Sequence, residues 1–395
     1  MAGHSEREGK VVYLDHHATT PLDPRVLDAM MPYLTHEFGN ASSATHAYGW
    51  RAREAVEKAR AQVAQLIGAK PREIVFTSGA TESINLALQG AVRARRNRTA
   101  RIVTTPIEHR ATLDCCDHLR AAGAEVASVA VDAEGFVKLD ELERELAPGA
   151  IVVSIIHGNN EIGTLQDVEA IGRLAGAAGA LLHVDAAQSL GKVPIDVRAM
   201  GIDLLSMSGH KIYGPKGVGA LYVRSGTPGV KLEPILFGGG QERGLRPGTL
   251  NVPGIVGFGA ACEIAAAEGA QETERLGSLR DLLWSLLQEK VAGVHLNGPR
   301  ERRLPNNLNV SFERVEGEAL LMALRDVAVS SGSACSSGRR EASHVLRAIG
   351  VSTQLAHASL RFGLGRWTTR EEIEFAAGRV AKEVARLRAI GFGDE

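Results

Sequence analysis

The stretch LLSMSGHKIYGPKGVGALYV, residues 204–223, decides the fold. An apolar run ends in Ser208-Gly209-His210-Lys211, a glycine- and proline-bearing turn follows, and a second apolar run opens at Gly219. Two such runs lie too close for a helical crossover, so they predict two strands of one sheet, the second antiparallel to a neighbour. The polar tetrapeptide between them admits three chemistries: the S-x-x-K pattern of penicillin-binding enzymes, a phosphate loop, or a lysine that carries an aldehyde cofactor. A polar surface turn is the bland fourth reading.

Outward from this stretch, short β-branched runs alternate with longer helical patterns. EIVFTS (73–78), RIVTTP (101–106), EVASVAVD (125–132), IVVSIIHG (151–158) and LLHVDAAQ (181–188) precede it, most of them separated by Ala/Leu/Glu/Arg-rich segments such as DVEAIGRLAGAAG (167–179). This βαβ rhythm predicts an α/β fold: a mostly parallel sheet of about seven strands flanked by helices. From about residue 262 long charged helices such as QETERLGSLRDLLWSLLQEK (271–290) and a strand NNLNVSF (306–312) predict a smaller α+β unit. The expected division is a large domain over 20–261 and a small domain from 1–19 and 262–395. Between strands and helices, FGGGQERGLRPGTLNVPG (237–254) is a long glycine- and proline-rich loop, and a loop of that length in a compact domain is usually functional.

Composition narrows the function classes. The 395 residues are 44% apolar and 23% charged with a net charge of −1, enough for a large core and without a basic field for nucleic acid or an anionic membrane. The start, MAGHSEREGKVVYLDHH, lacks a signal peptide's apolar stretch, and no segment holds the roughly 18 uninterrupted apolar residues of a membrane helix. A soluble cytoplasmic protein is expected. Cys115, Cys116, Cys262 and Cys335 show no C-x-x-C spacing, so neither a disulfide framework nor a metal site is expected.

Ligands of open α/β sheets gather beyond the carboxyl ends of the parallel strands. There the sequence places TSGATES (77–83), Glu108-His109-Arg110, Asn159-Asn160-Glu161, Asp185 with Gln188, and Ser208, His210 and Lys211. Pyridoxal phosphate needs a lysine for its aldehyde, an acid against its pyridinium nitrogen, an anion cradle and a flat partner over its ring. Lys211, Asp185, the Gly79–Thr81 turn with Ser208 and His210, and His109 fill those roles in turn. The penicillin-binding reading lacks an S-D-N or K-T-G companion, no G-x-x-x-x-G-K-[ST] occurs, and GFGAAC (257–262) is only part of a dinucleotide fingerprint.

Ten ordered motifs carry a resemblance over nearly the whole chain: YLDHHATTPLDPRV, TSGATESINLAL, EHRATLD, HGNNEIGTLQ, HVDAAQSLGK, SGHKIYGPKG, GGGQERGLRPGTLNVPG, PNNLNVSF, SSGSACSSG and LRFGLGRWTT. The chain resembles the cysteine desulfurases of the class V aminotransferase group, of the NifS/IscS type. The resemblance implies a fold-type I, pyridoxal 5'-phosphate-dependent homodimer whose small domain carries a mobile cysteine loop at about 330–342. It implies Lys211 as the Schiff-base lysine, Asp185 on the pyridine nitrogen, Gln188 on the phenolic oxygen and Asn160 among the cofactor contacts. Ala80, Thr81, Ser208 and His210 would hold the phosphate, with Thr249 reaching in from the other subunit.

Arg361 would grip the carboxylate of L-cysteine, for which a guanidinium fork is suited. His109 would stack on the ring and move protons at the sulfur, and Cys335, set among small residues, would take that sulfur as a persulfide, releasing alanine and passing the sulfur to an acceptor protein. A selenocysteine lyase, another class V aminotransferase, or a catalytically silent binding paralogue are the alternatives. Aminotransferases need no nucleophilic thiol, and a silent copy has no reason to keep Lys211, Asp185, His109 and Cys335. Cys115 and Cys116 receive no role. Ala41 stands where the family commonly has proline, and RLRAIGFGDE (386–395) lacks the tryptophan-containing tail used toward an iron–sulfur scaffold.

Overall fold

Seven short strands form the principal sheet: β1 (Ile74–Thr77), β2 (Arg101–Thr104), β3 (Glu125–Ser128), β4 (Val152–Ile156), β5 (Leu181–Asp185), β6 (Leu204–Ser208) and β7 (Gly219–Val223). The computed structural model describes residues 11–95, 100–226, 229–331 and 342–391. In space the strands run β1-β7-β6-β5-β4-β2-β3. Every pairing from β6 to β3 is parallel, and β7 is antiparallel to both β1 and β6. All seven β-branched runs are therefore strands of one α/β sheet, and the short 204–223 connection has the antiparallel consequence its length requires.

The sequence β4, β2, β3 reverses the direction in which strands were being added, so the crevice beyond the carboxyl ends of β2 and β4 is a topological switch point. Burial follows position in the sheet. The central strands β4, β5 and β6 are buried along their whole length, as parallel strands covered on both faces must be. The edge strand β3 is exposed at both ends, and only 125–128 of its longer apolar run enters the ladder. Helix Ala80–Arg93 places Ile84, Ala87, Leu88 and Ala91 against Val75, Ile102, Val152, Leu181, Leu204 and Leu221, forming one core cluster under the sheet.

By its contacts the chain divides into two compact units, Thr19–Asn160 with Thr164–Gln271, and Met1–Ala18 with Glu161–Gly163 and Glu272–Glu395. Helix Val252–Lys290 is continuous through residue 262, where the apolar-to-charged change in the sequence had suggested a boundary, and its first residues take up the end of the expected 237–254 loop. Among the described residues no helix is long and apolar enough to cross a membrane.

The smaller unit has its own antiparallel sheet, with β9 (Asn307–Phe312) between β8 (Val294–Leu296) and β10 (Ser359–Gly363). Val12–Tyr13 pairs parallel with Val327–Ala328. Leu14, Leu283, Leu287, Val310, Phe312, Leu360, Phe362 and Ile373 are buried together in its core. The chain at His16 and His17 lies so close to β10 that a Cβ at Gly363 would sit 2.8 Å from the His17 nitrogen and 2.9 Å from the His16 nitrogen. Glycine is the residue that this approach allows.

Candidate active site

Asp185 ends β5 with a buried carboxyl, 3% exposed, whose Oδ1 accepts the Ala187 N–H at 2.9 Å. Register places it opposite Ile156 of β4 and Ser206 of β6, in the middle of the sheet's carboxyl edge. Burial raises its pKa above the ordinary aspartate value, while His109, the Ala187 N–H and Lys211 pull it back. Thus three residues named from separate strand ends share one electrostatic environment.

Lys211 closes a single turn of 3-10 helix, Gly209–Lys211, directly after β6. A strap from residues 19–23 holds that turn. The Thr20 N–H and hydroxyl each donate to the His210 carbonyl at 3.0 Å, the Tyr213 N–H donates to Thr20 Oγ1 at 2.8 Å, and the Asp23 N–H donates to the Tyr213 carbonyl at 3.0 Å. Tyr213 is buried and has a left-handed φ of 65°, a conformation that a bulky residue adopts only where surrounding contacts impose it. The strap supplies those contacts.

A cradle for an anion lies at the same edge. Gly79 begins helix Ala80–Arg93 at φ 151°, without a side-chain cap hydrogen bond, and Ala80, Thr81 and Glu82 form the first turn. First-turn N–H groups and the helix dipole favour a phosphate there. Gly219 pairs with both Thr77 and Ser208, which sets the glycine turn and Ser208 two strands apart on one edge. His210 Nδ1 lies 3.1 Å from Thr19 Oγ1. Burial first, and then the charges of Lys211, Lys216 and Lys192, push the His210 imidazole down to about 4. That cluster of ammonium groups is the field a phosphate dianion would meet.

His109 caps helix Arg110–Ala121, its Nδ1 accepting the Ala111 N–H at 3.1 Å, so the neutral ring carries its proton on Nε2. Gln188 is buried, and its backbone carbonyl accepts from Lys192 Nζ at 2.8 Å. Asn160 is half-buried at the end of the larger unit's first segment, beside Asn159, whose Nδ2 donates to the Ile107 carbonyl at 2.8 Å. Thr249 is exposed in the long loop. In the smaller unit Arg361 lies within β10 rather than after a strand, 6% exposed, and Nη2 donates to Asp15 Oδ1 at 2.9 Å. Cys335 lies outside the described residues.

The family model for class-V aminotransferases matches residues 12–375. The chain belongs to the class-V aminotransferase family. This class-V chain is 53% identical over 381 residues to the cysteine desulfurase IscS of Serratia proteamaculans, covering 96% of this chain and 94% of that one. It is 54% identical over 379 residues to the cysteine desulfurase IscS of an Anaeromyxobacter strain, with the same coverage. Among solved structures, a NifS-like protein superposes with a TM-score of 0.88 at 40% identity, over 95% of this chain and all of that one (100%). SspA in complex with cysteine follows at 0.80, with 38% identity over 91% and 100% of the two chains.

Pyridoxal 5'-phosphate fits the residues of this class-V site. Asp185 is a buried carboxyl for which a protonated ring nitrogen is a matching partner, Lys211 supplies an amine whose charge reaches it, and the Gly79 turn lies on the same sheet edge as Ser208. Two further residues build the site: Glu108, which the sequence places at a strand end without a role, and His183, which sequence reading missed. Glu108 is fully buried, with Thr105 Oγ1 donating to Oε1 at 2.6 Å. Burial pushes its carboxyl up to about 8, against the hydrogen bonds of Thr105 and Ile156 and with a smaller push from Asp185. His183 bridges β4 and β6 through Ser154 Oγ at 2.8 Å and Ser206 Oγ at 2.9 Å, holding β5 two residues before Asp185. For His183, a polar side chain inside the apolar run LLHV was the available signal.

Proposed function

We infer that this chain is a pyridoxal-phosphate-dependent cysteine desulfurase that takes L-cysteine to L-alanine. The observation that carries the reading is Asp185, buried at the switch-point edge and sharing its field with His109 and Lys211. The desulfurase relatives at 53% identity and the cysteine bound to SspA support the substrate. Pyridoxal phosphate, when bound, supplies an electron sink for the pair of electrons left on the substrate's α-carbon.

The chain's own groups divide the remaining work. With the cofactor bound, Asp185 would keep a proton on the ring nitrogen, Gln188 would contact the phenolic oxygen with Asn160 beside it, and Ala80, Thr81, Ser208 and His210 would hold the phosphate. Lys211 would hold the cofactor through its amine, and the same amine would take the substrate's α-proton. Arg361 binds the substrate carboxylate. His109 moves a proton at the substrate sulfur.

Cys335 attacks as a thiolate on that sulfur. The new S–S bond forms as the Cβ–S bond breaks, the electron pair of that bond goes to Cβ, protonation there completes alanine's methyl group, and return of the proton held by Lys211 to the α-carbon completes alanine. An acceptor protein's thiolate then attacks the outer sulfur of the persulfide, forming the acceptor's own persulfide and releasing Cys335 as the thiolate. Thr249 joins the phosphate site of a second copy in a homodimer, and the reaction runs in the cytoplasm.

Two assays on the purified protein test this. The visible band of the bound cofactor should vanish in Lys211→Ala. Wild type should release alanine and, with reductant, sulfide from L-cysteine, whereas Cys335→Ala should lose sulfide release by a factor of at least ~100, as expected when a covalent nucleophile is removed. Sulfide release at the wild-type rate in Cys335→Ala would overturn the persulfide step.

A further inference from the structure

Asp15, which pairs with Arg361, has no role among those assigned above. Both residues belong to the smaller unit, and their side chains are mostly buried, 18% and 8% exposed. A buried pair of this kind adds little net stability, because desolvating two charges offsets their attraction. Its geometric effect is large: a guanidinium is a planar fork, and one charge-assisted bond to Nη2 fixes the plane in which its other N–H groups lie.

Asp15 is itself rigidly placed. The His16 N–H donates to the Gly363 carbonyl at 3.0 Å, and the Gly363 N–H donates to the Leu14 carbonyl at 2.7 Å, so Asp15 sits between two rungs shared with β10. His16 Nδ1 also lies 2.9 Å from the Gly363 carbonyl, and the Tyr13 ring meets His16 edge-on with centroids 4.8 Å apart. Arg361 is held at its backbone as well, its N–H donating to the Ser330 carbonyl at 2.7 Å and its carbonyl accepting the Ser330 N–H at 3.3 Å. Both ends of the pair are thus anchored before any substrate arrives.

We propose that Asp15 is a positioning residue for substrate recognition, holding the Arg361 guanidinium in the orientation that receives the carboxylate of an α-amino acid. The inference rests on the reading of Arg361 as the carboxylate grip.

The test uses the holoenzyme and two titrants followed by the cofactor's absorbance: L-alanine, which has the carboxylate, and L-alaninamide, which does not. In Asp15→Asn the Kd for L-alanine should rise about tenfold or more, as for loss of a hydrogen bond to a charged group, with less than about a twofold change for L-alaninamide. The KM for L-cysteine should rise with it, more than kcat falls. Asp15→Glu, which keeps the charge, should recover part of the loss. Equal losses for both titrants would mean that Asp15 is only structural, and wild-type affinity for both would mean that it positions nothing; either overturns the proposal. Arg361→Ala separates the two layers of inference. If it distinguishes acid from amide while Asp15→Asn does not, only the role of Asp15 falls. If it fails to distinguish them, the Arg361 reading falls and takes the proposal with it.

Discussion

Glu108 and Asp185 show how two carboxyls can share one buried edge. Burial raises both, and Glu108, at about 8, keeps its proton at neutral pH, which spares the sheet edge a second negative charge. The cost appears in stability. Between the ordinary glutamate value of 4.5 and about 8 the unfolded chain has lost this proton while the folded chain retains it. The folded state then binds more protons, so stability falls as pH rises through that window and levels off above it. Glu108→Gln removes the titration, and the drop in Tm of the holoenzyme between pH 5 and pH 8 should be smaller than in wild type. Parallel Tm profiles for the two proteins would show that Glu108 ionises as an ordinary carboxyl.

At the scale of elements, the strands were readable because a parallel sheet buried on both faces demands continuous β-branched runs, and each run left its polar residues at the functional edge. What the sequence hid depends on distant partners. Thr20 acts on His210 across 190 positions and Asp15 on Arg361 across 346, so no local pattern could pair them. β10 was obscured for a different reason: it is short, and the charge in its middle imitates a strand end. The structure shows that arginine neutralised by Asp15 inside the ladder. The packing of β10 on the N-terminal segment gives a direct check. Gly363→Ala would press a methyl group on the His16 and His17 backbone, which cannot rotate away, and should cost about 1–3 kcal/mol in urea unfolding. An unchanged midpoint and slope would mean that the N-terminal segment yields without strain.

For the molecule as a whole, the residues given roles in the proposed reaction are divided between the two compact units, Lys211, Asp185 and His109 falling in the larger and Arg361 in the smaller. The long loop is where the proposed homodimer can be tested. It exposes Phe237, 84% accessible, and carries Thr249, which reaches no other assigned site residue by any hydrogen bond described above. The proposed homodimer would account for both, and light scattering should then return twice the mass of one chain. Thr249→Ala should then leave that mass unchanged while weakening cofactor retention on dialysis by several-fold, in keeping with loss of one hydrogen bond to a charged group. A monomer in solution would remove Thr249 from the phosphate site.

The Gly79 turn has a consequence for handling the protein. An uncapped helix start close to Ser208, with lysines gathered around His210, does not distinguish a cofactor's phosphate from any other tetrahedral anion. Inorganic phosphate or sulfate in a buffer will therefore compete during reconstitution. After the cofactor is stripped, recovery of the visible band should be slower in phosphate than in an amine buffer at the same pH and ionic strength, and the choice of salt becomes a variable in every measurement of specific activity.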